Sequence, residues 1–155
     1  MTDSMTLFFL EKGRWDAVDI ARMETSTGAR IPSNGKVKVN TQVRLKVKVK
    51  KECHLYILGW DQTNSILTVL FPGAGENSRT GVGDFYLPHK GYFRADPPAG
   101  YNWVKAVATK ENIGLISTGE KLLEDPKSQN EVVRKIRALG PDGWGSCSVG
   151  YYIEN

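Results

Sequence analysis

The chain has 155 residues, 40% hydrophobic and 25% charged, enough for one domain whose core needs no metal or disulfide staple. It has no run of about 18 apolar residues, so no segment reads as a membrane-spanning helix. The net charge of +4 is local: without the seven basic residues of KVKVNTQVRLKVKVKK (Lys36 to Lys51), fourteen basic side chains face seventeen acidic ones.

The chain opens MTDSMTLFFLEKGR, where Leu7 to Glu11 reads as a strand ended by Lys12-Gly13. With no basic n-region and no small-residue cleavage site, it reads as cytoplasmic, or as periplasmic if a leader has been removed. Trp15 to Glu24 fits a strand or a short helix equally, and Ser26 to Gly35 has loop composition. From Val37 to Val49 every odd position is Val, Thr or Leu and every even one Lys, Arg, Asn or Gln. That is the alternation of a strand with one buried and one wet face, and its length predicts a bend near Asn40-Thr41.

CHLYILGWD (Cys53 to Asp61) is apolar on both faces, as a central strand is, and turns at Gln62 to Ser65 into Ile66 to Pro72 as a hairpin. A Gly-rich loop from Gly73 to Asp84 leads to FYLP, a further loop, Tyr92 to Ala95, and the break Asp96 to Gly100. Asn102 to Lys110 alternates as another strand. EKLLED before Pro126 reads as a short helical turn. Ser128 and Glu131 have capping-box spacing, Val132, Val133, Ile136 and Leu139 recur at helical spacing, and Gly140 closes the pattern as a C′ residue. SCSVGYYIE is a final strand. The expected fold is mainly β: an antiparallel sandwich, Ig-like or jelly-roll-like, with one C-terminal helix near residues 129–139 set on an edge or end.

Residues able to do chemistry are few and scattered. Cys53 and His54 adjoin, but neighbours on a strand point to opposite faces. Cys147 with His54 or His89 would need proximity in space, and two buried reduced thiols are the expectation. Ser146 and Ser148 lie outside any G-x-S-x-G elbow. Two His and two Cys have no metal-site spacing, so no metal or cofactor is expected. GAGENSRTGVG lacks the Lys-Ser/Thr pair of a phosphate loop and precedes a strand. Its Asn77 and Arg79, with Tyr101 and Trp144 beside other loops, are the candidate loop contacts. Trp60 and Trp103, inside strands, are expected in the core.

On the basic stretch, Lys36, Lys38, Arg44, Lys46, Lys48 and Lys50 are expected on one face. A row of cations suits phosphates, but single-strand binders interleave aromatic platforms, and this stretch contains none. The first expectation is a solvated or edge-protecting face. Arg44, Lys46, Lys48 and Lys50 are the residues to test for an anionic partner: protein, membrane surface or nucleic acid.

YILGWDQTNSILTVLFPG, followed by Asn77, Gly81, FYLP and PPAGYNWVKAVAT, resembles the bacterial domain of unknown function 4384 family over roughly Gly35 to Asn112. The matching positions are Tyr56, Asp61, Leu70, Phe71, Pro72, Asn77, Gly81, Pro88, Pro98, Gly100 and Ala106 to Thr109. Gly73 stands where the family usually has Asn, and Asn102 where it often has an acidic residue. Physically the motif reads as fold chemistry, with Leu70 and Phe71 as anchors and Pro72 ending a ladder.

The domain organisation read from this is one sandwich over 1–155, with a family-like core at 35–112. Residues 1–34 are an N-terminal extension, and 113–155 supply the helix and closing strand. The resemblance implies an accessory module without catalytic residues, of a kind found alone, in envelope proteins, or fused to caspase-like peptidases and protein kinases. The expected function is therefore a non-enzymatic accessory or regulatory protein-interaction module of a bacterial signalling, defence or envelope system, its partner another protein such as a peptidase, kinase or other effector. The alternative is an anion-binding module working through the 36–51 stretch.

Overall fold

The computed structural model describes residues 4–73, 75–115 and 121–155. In chain order the elements are α1 (Ser4–Leu10), β1 (Val18–Thr25), β2 (Arg30–Ile31), β3 (Gly35–Lys38), β4 (Gln42–Val49), β5 (Cys53–Asp61) and β6 (Ile66–Phe71). They continue as β7 (Arg79–Thr80), β8 (Gly83–Leu87), β9 (Phe93–Arg94), β10 (Gly100–Thr109), β11 (Lys121–Leu123), α2 (Pro126–Arg137) and β12 (Trp144–Glu154). Strands dominate the described residues, so the fold is mainly β.

The strands form two sheets. One runs β2-β1-β4-β8, with β9 also on β4; the other runs β11-β6-β5-β10-β12-β3, with β7 on β5. Pairing is antiparallel except between β12 and β3, which run parallel. The inner faces meet in a core where Val43, Leu45, Val47 and Val49 of β4 pack with Leu55, Ile57, Val104, Ala106 and Val149. The opposite face of the larger sheet carries a second core. There Tyr56, Leu58, Trp60, Leu67 and Val107 are covered by Met5, Phe8 and Phe9 of α1 and Val132, Val133 and Ile136 of α2. The molecule is thus a β-sandwich with a helical layer on one face.

Both helices lie on a sheet face, whereas the sequence places one helix on an edge or end. The opening segment is α1, where a strand was expected at Leu7 to Glu11. Met5, Phe8 and Phe9 stand at i, i+3 and i+4 and are buried, while Leu7 and Leu10 are exposed. That is one helical stripe, which four consecutive apolar residues concealed.

The ambiguous Trp15 to Glu24 segment supplies β1, an inner strand. EKLLED is strand at Lys121–Leu123, pairing with β6, where a helical turn was expected; Glu120 lies outside the described residues.

α2 starts earlier than expected. Its N-cap is Asp125, whose carboxylate accepts from Ser128 N at 3.0 Å, with Pro126 in the first turn. Ser128 is therefore not the cap, and Glu131 pairs forward with Arg134. The helix ends with Ala138 as C-cap, and Gly140, at φ +73°, falls two residues beyond it.

The bend at Asn40-Thr41 is real, with Asn40 at φ +74°. It does more than divide a strand: β3 joins the larger sheet and β4 the smaller. Lys36 and Lys38 therefore do not continue the row of Arg44 to Lys48.

Candidate functional site

β4 lies between β1 and β8, inside its sheet, so its lysines do not protect an edge. The odd residues are buried and the even ones face outward, so the solvated-face reading holds without the edge-protecting one. Pairing sets Arg22 opposite Lys46 and Glu24 opposite Arg44, while β8 sets Tyr86 opposite Lys46 and Asp84 opposite Lys48. Residues directly opposite on antiparallel strands share a face, so the basic row meets acids and an aromatic that lie outside the basic stretch.

Arg44 is the hub of this face. Its Nε donates to Glu24 Oε1 at 2.7 Å, and its guanidinium sits 4.5 Å from the Tyr86 ring centroid and 5.4 Å from that of Tyr92. Lys46 Nζ lies 6.0 Å from the Tyr86 ring and 3.5 Å from Asp84. Glu24 is 3% exposed and also takes Arg22 at 2.8 Å. The Arg44 hydrogen bond, with help from the Arg22 and Lys46 charges, holds the Glu24 carboxyl below the usual range against the cost of burial. Lys50 pairs with Asp16. The face therefore has the aromatic platform that the basic stretch lacks, and most of its cations are already paired.

The candidate loop contacts are not brought together. Asn77 accepts from Arg79 N at 2.9 Å, and Arg79 reaches Glu52 at 2.8 Å. They sit beside the start of β5, whereas Tyr101 lies eight positions along β10 from the residue paired with His54, about 26 Å away at a rise of about 3.3 Å per residue. Tyr101 is 46% exposed and packs edge-on against Tyr152. Trp144 is no loop contact, being 3% exposed in the second core. Residues 13–15 pass close beside this part of β12: a Cβ on Gly13 would stand 2.0 Å from Trp144 O, and one on Gly145 1.7 Å from Trp15 O. Trp60 is in the core and Trp103 partly so, its Nε1 donating to Gln62.

Most motif residues have structural partners. The Tyr56 hydroxyl donates to Asn112 Oδ1 at 3.0 Å and accepts from Ile113 N at 3.1 Å. Asp61 accepts from Asn64 N at 3.1 Å and Asn64 Nδ2 at 2.9 Å, capping the β5–β6 turn. Phe71 packs against Phe85 at 4.7 Å, and a Cβ on Gly100 would meet Thr63 Oγ1 at 2.0 Å. Pro72, Pro88 and Pro98 each follow a cis bond. Nothing in the structure explains Gly81.

Cys53 and Cys147 are free and buried, on strands separated by β10. Burial pushes the thiols up to about 11 and about 12. Neither histidine meets a cysteine: His54 Nδ1 lies 2.9 Å from Ser78 Oγ, and His89 Nε2 3.1 Å from Glu76. The described residues contain no group of three or more His, Cys, Asp or Glu placed to hold a metal. A cleft of about 510 Å³ runs along α2, but its Asp125, Ser128 and Glu131 are engaged in capping and ion pairing.

Sequence reasoning missed Lys105. In β10 it is 0% exposed, and its Nζ donates to the carbonyls of Phe8 at 2.9 Å, Phe9 at 3.3 Å and Glu11, at the end of α1. A lysine within an otherwise buried run, VKAVAT, was the available signal.

The fold and its surfaces define a two-sheet β module with a helical cover. No described helix is long and apolar enough to cross a membrane. Residues 36–112 match the family model described as Domain of unknown function (DUF4384), which bears out the resemblance read from the sequence. No curated protein matches the chain. Among solved structures it is similar to the C-terminal domain of wzt, with 13% identity and a TM-score of 0.44 over 94% of this chain and 79% of that one.

Proposed function

We propose that this protein is a non-enzymatic interaction module that binds another protein through the outer face of its smaller sheet. The observation that carries this reading is the Arg44, Tyr86 and Tyr92 cluster. Tyr and Arg are the side chains that most often dominate protein interfaces, because they offer large contact area and directional bonding. Here the guanidinium is held by the buried Glu24 carboxylate and stacked on Tyr86, so little entropy remains to be lost on binding. Lys46 and the exposed Lys48 add positive potential, which favours a partner with an acidic surface. In the settings the family resemblance implies, that partner is a peptidase, kinase or other effector.

The test is affinity capture by wild type, Arg44→Ala and Tyr86→Ala proteins from cells that make the chain natively. A protein recovered by wild type and lost from both variants is the expected result. The same recovery by all three would refute the assignment to this face. The runner-up, anion binding by Arg44, Lys46, Lys48 and Lys50, has the aromatic platform in its favour and the ion pairs against it. It predicts salt-sensitive binding to single-stranded DNA, heparin or anionic vesicles that Lys46→Glu and Lys48→Glu abolish.

A further inference from the structure

The inner face of the larger sheet carries a polar row that the core does not absorb. Asp61 of β5 is paired with Asn102 of β10, and Asn102 with Tyr151 of β12, so three polar side chains lie side by side on one face. They line a cleft of about 420 Å³ at the end of the sandwich, roofed by residues 93–98. The size suits a small organic group. Leu70 packs over Gly59, where a Cβ would stand 3.2 Å from Leu70 Cδ1, and with Ile66 and Val104 it supplies apolar walls.

Tyr151 is 7% exposed, and its hydroxyl has no hydrogen-bond partner among the described residues. The hydroxyl is not sealed in the core and opens onto the cleft, where it can meet a ligand. Three charged side chains line the cleft. Arg94 and Asp96 bond each other at 3.3 Å at the exposed rim. Asp61 has only neutral partners, both from Asn64. Asn102 spends its Nδ2 on Gly100 O at 3.3 Å, which leaves Oδ1 as an acceptor. The cleft thus has surplus acceptors, one unneutralised carboxylate and apolar walls. What complements it must bring hydrogen-bond donors and positive charge on a hydrocarbon stem.

We propose that this cleft binds an organic cation, an ammonium or guanidinium on an aliphatic stem. Asp61 takes the charge, Asn102 and Tyr151 take hydrogen bonds, and Leu70 and Val104 pack the stem. The site lies apart from the Arg44 face, so it stands or falls independently of the protein-binding reading. Burial and the Asp61 charge push the Tyr151 phenol up to about 12, so it stays a neutral hydroxyl at physiological pH, and its oxygen can accept from the cation.

The experiment is an NMR titration of 15N-labelled protein with 1,4-diaminobutane, agmatine, and lysine and arginine blocked at both termini. Sorbitol serves as an uncharged polyol. Saturable shifts at Gly59, Asn102 and Val104 are expected with the cations and not with sorbitol. Asp61→Asn keeps an acceptor for the turn and Tyr151→Phe keeps the packing. Each should weaken binding by about tenfold, equivalent to about 1.4 kcal/mol, the scale of one hydrogen bond to a charged group. Tighter binding of the free amines points to a small-molecule ligand, and tighter binding of the blocked residues to a partner's side chain. The proposal is overturned if no cation shifts these resonances at millimolar concentration, if both variants bind as wild type does, or if sorbitol binds equally well.

Discussion

Lys105 Nζ donates to the carbonyl oxygen of Phe8 at 2.9 Å across 97 positions of sequence, joining the middle of β10 to the end of α1. The last carbonyls of a helix lack intrahelical donors and carry its negative pole, so a cation there acts as a cap from outside the helix. Burial nevertheless lowers the Lys105 amine to about 7, against the opposing charge of Glu11.

The first prediction is a titration. A lysine whose folded value lies near 7 and whose unfolded value lies near 10.4 holds fewer protons when folded between those limits. Its contribution to stability therefore rises with pH across that window, by at most about 1.4 kcal/mol per pH unit. Urea unfolding at pH 6.5 and 9 should show the rise, and Lys105→Met should flatten it. A Lys105 ε-carbon resonance that titrates with the exposed lysines would refute it.

The same substitution leaves the carbonyls of Phe8, Phe9 and Glu11 without their donor. Lys105→Met should cost about 1–3 kcal/mol at neutral pH. It should also speed hydrogen exchange in α1 more than in β4, which packs on the other core. Uniform acceleration would mean that Lys105 supports the whole fold and does not clamp the helix.

The cysteines should be inert in the native state. Cys53 is 4% and Cys147 9% exposed, and burial raises both thiols far above neutrality, so little thiolate forms. Iodoacetamide should label neither at pH 8 and both in denaturant. Rapid native labelling of either would contradict their burial and revive a cysteine-based activity.

The strands of the sandwich were legible because alternation is a local signal. β4, β5, β6, β10 and β12 all fall where period 2 or a continuous apolar run places them. α1 was not, since FFL satisfies strand and helix alike until something covers one face. β11 was hidden for the converse reason: Leu122 and Leu123 beside acids look helical, and only pairing with β6 makes them a strand. For the site, sequence named Arg44 and Lys46 but not Glu24 or Tyr86, because cross-strand neighbours are non-local. The row Asp61, Asn102 and Tyr151 spans 90 residues and exists only through the register of three strands.

The α2 cap separates two readings of nearly the same residues. If Asp125 is the cap, Asp125→Ala should cost about 1 kcal/mol, the usual worth of an N-cap, while Glu131→Ala should cost a few tenths as an exposed helix pair. A Ser128–Glu131 capping box would give Glu131→Ala the larger effect. Denaturant midpoints of the two variants decide between them.

Glu24 supplies the acid limb of stability and, through Arg44, the shape of the proposed binding face. Its carboxyl is held below the usual range chiefly by the Arg44 hydrogen bond, so the folded state releases this proton more readily than the unfolded chain does. Its stabilisation is fully present above the unfolded value near 4.3 and is lost as pH falls through the lower folded value. Glu24→Gln keeps the size of the side chain but removes the charge that Arg22 and Arg44 share. It should cost about 1–3 kcal/mol at pH 7, and less as pH falls through the lowered folded value and wild type itself protonates. It should also weaken partner capture, because the Arg44 guanidinium is no longer pinned over Tyr86. Equal stability of variant and wild type at pH 7 would show that the two arginines gain nothing from this carboxylate. Lowered stability with unimpaired capture would separate the ion pair from the interface.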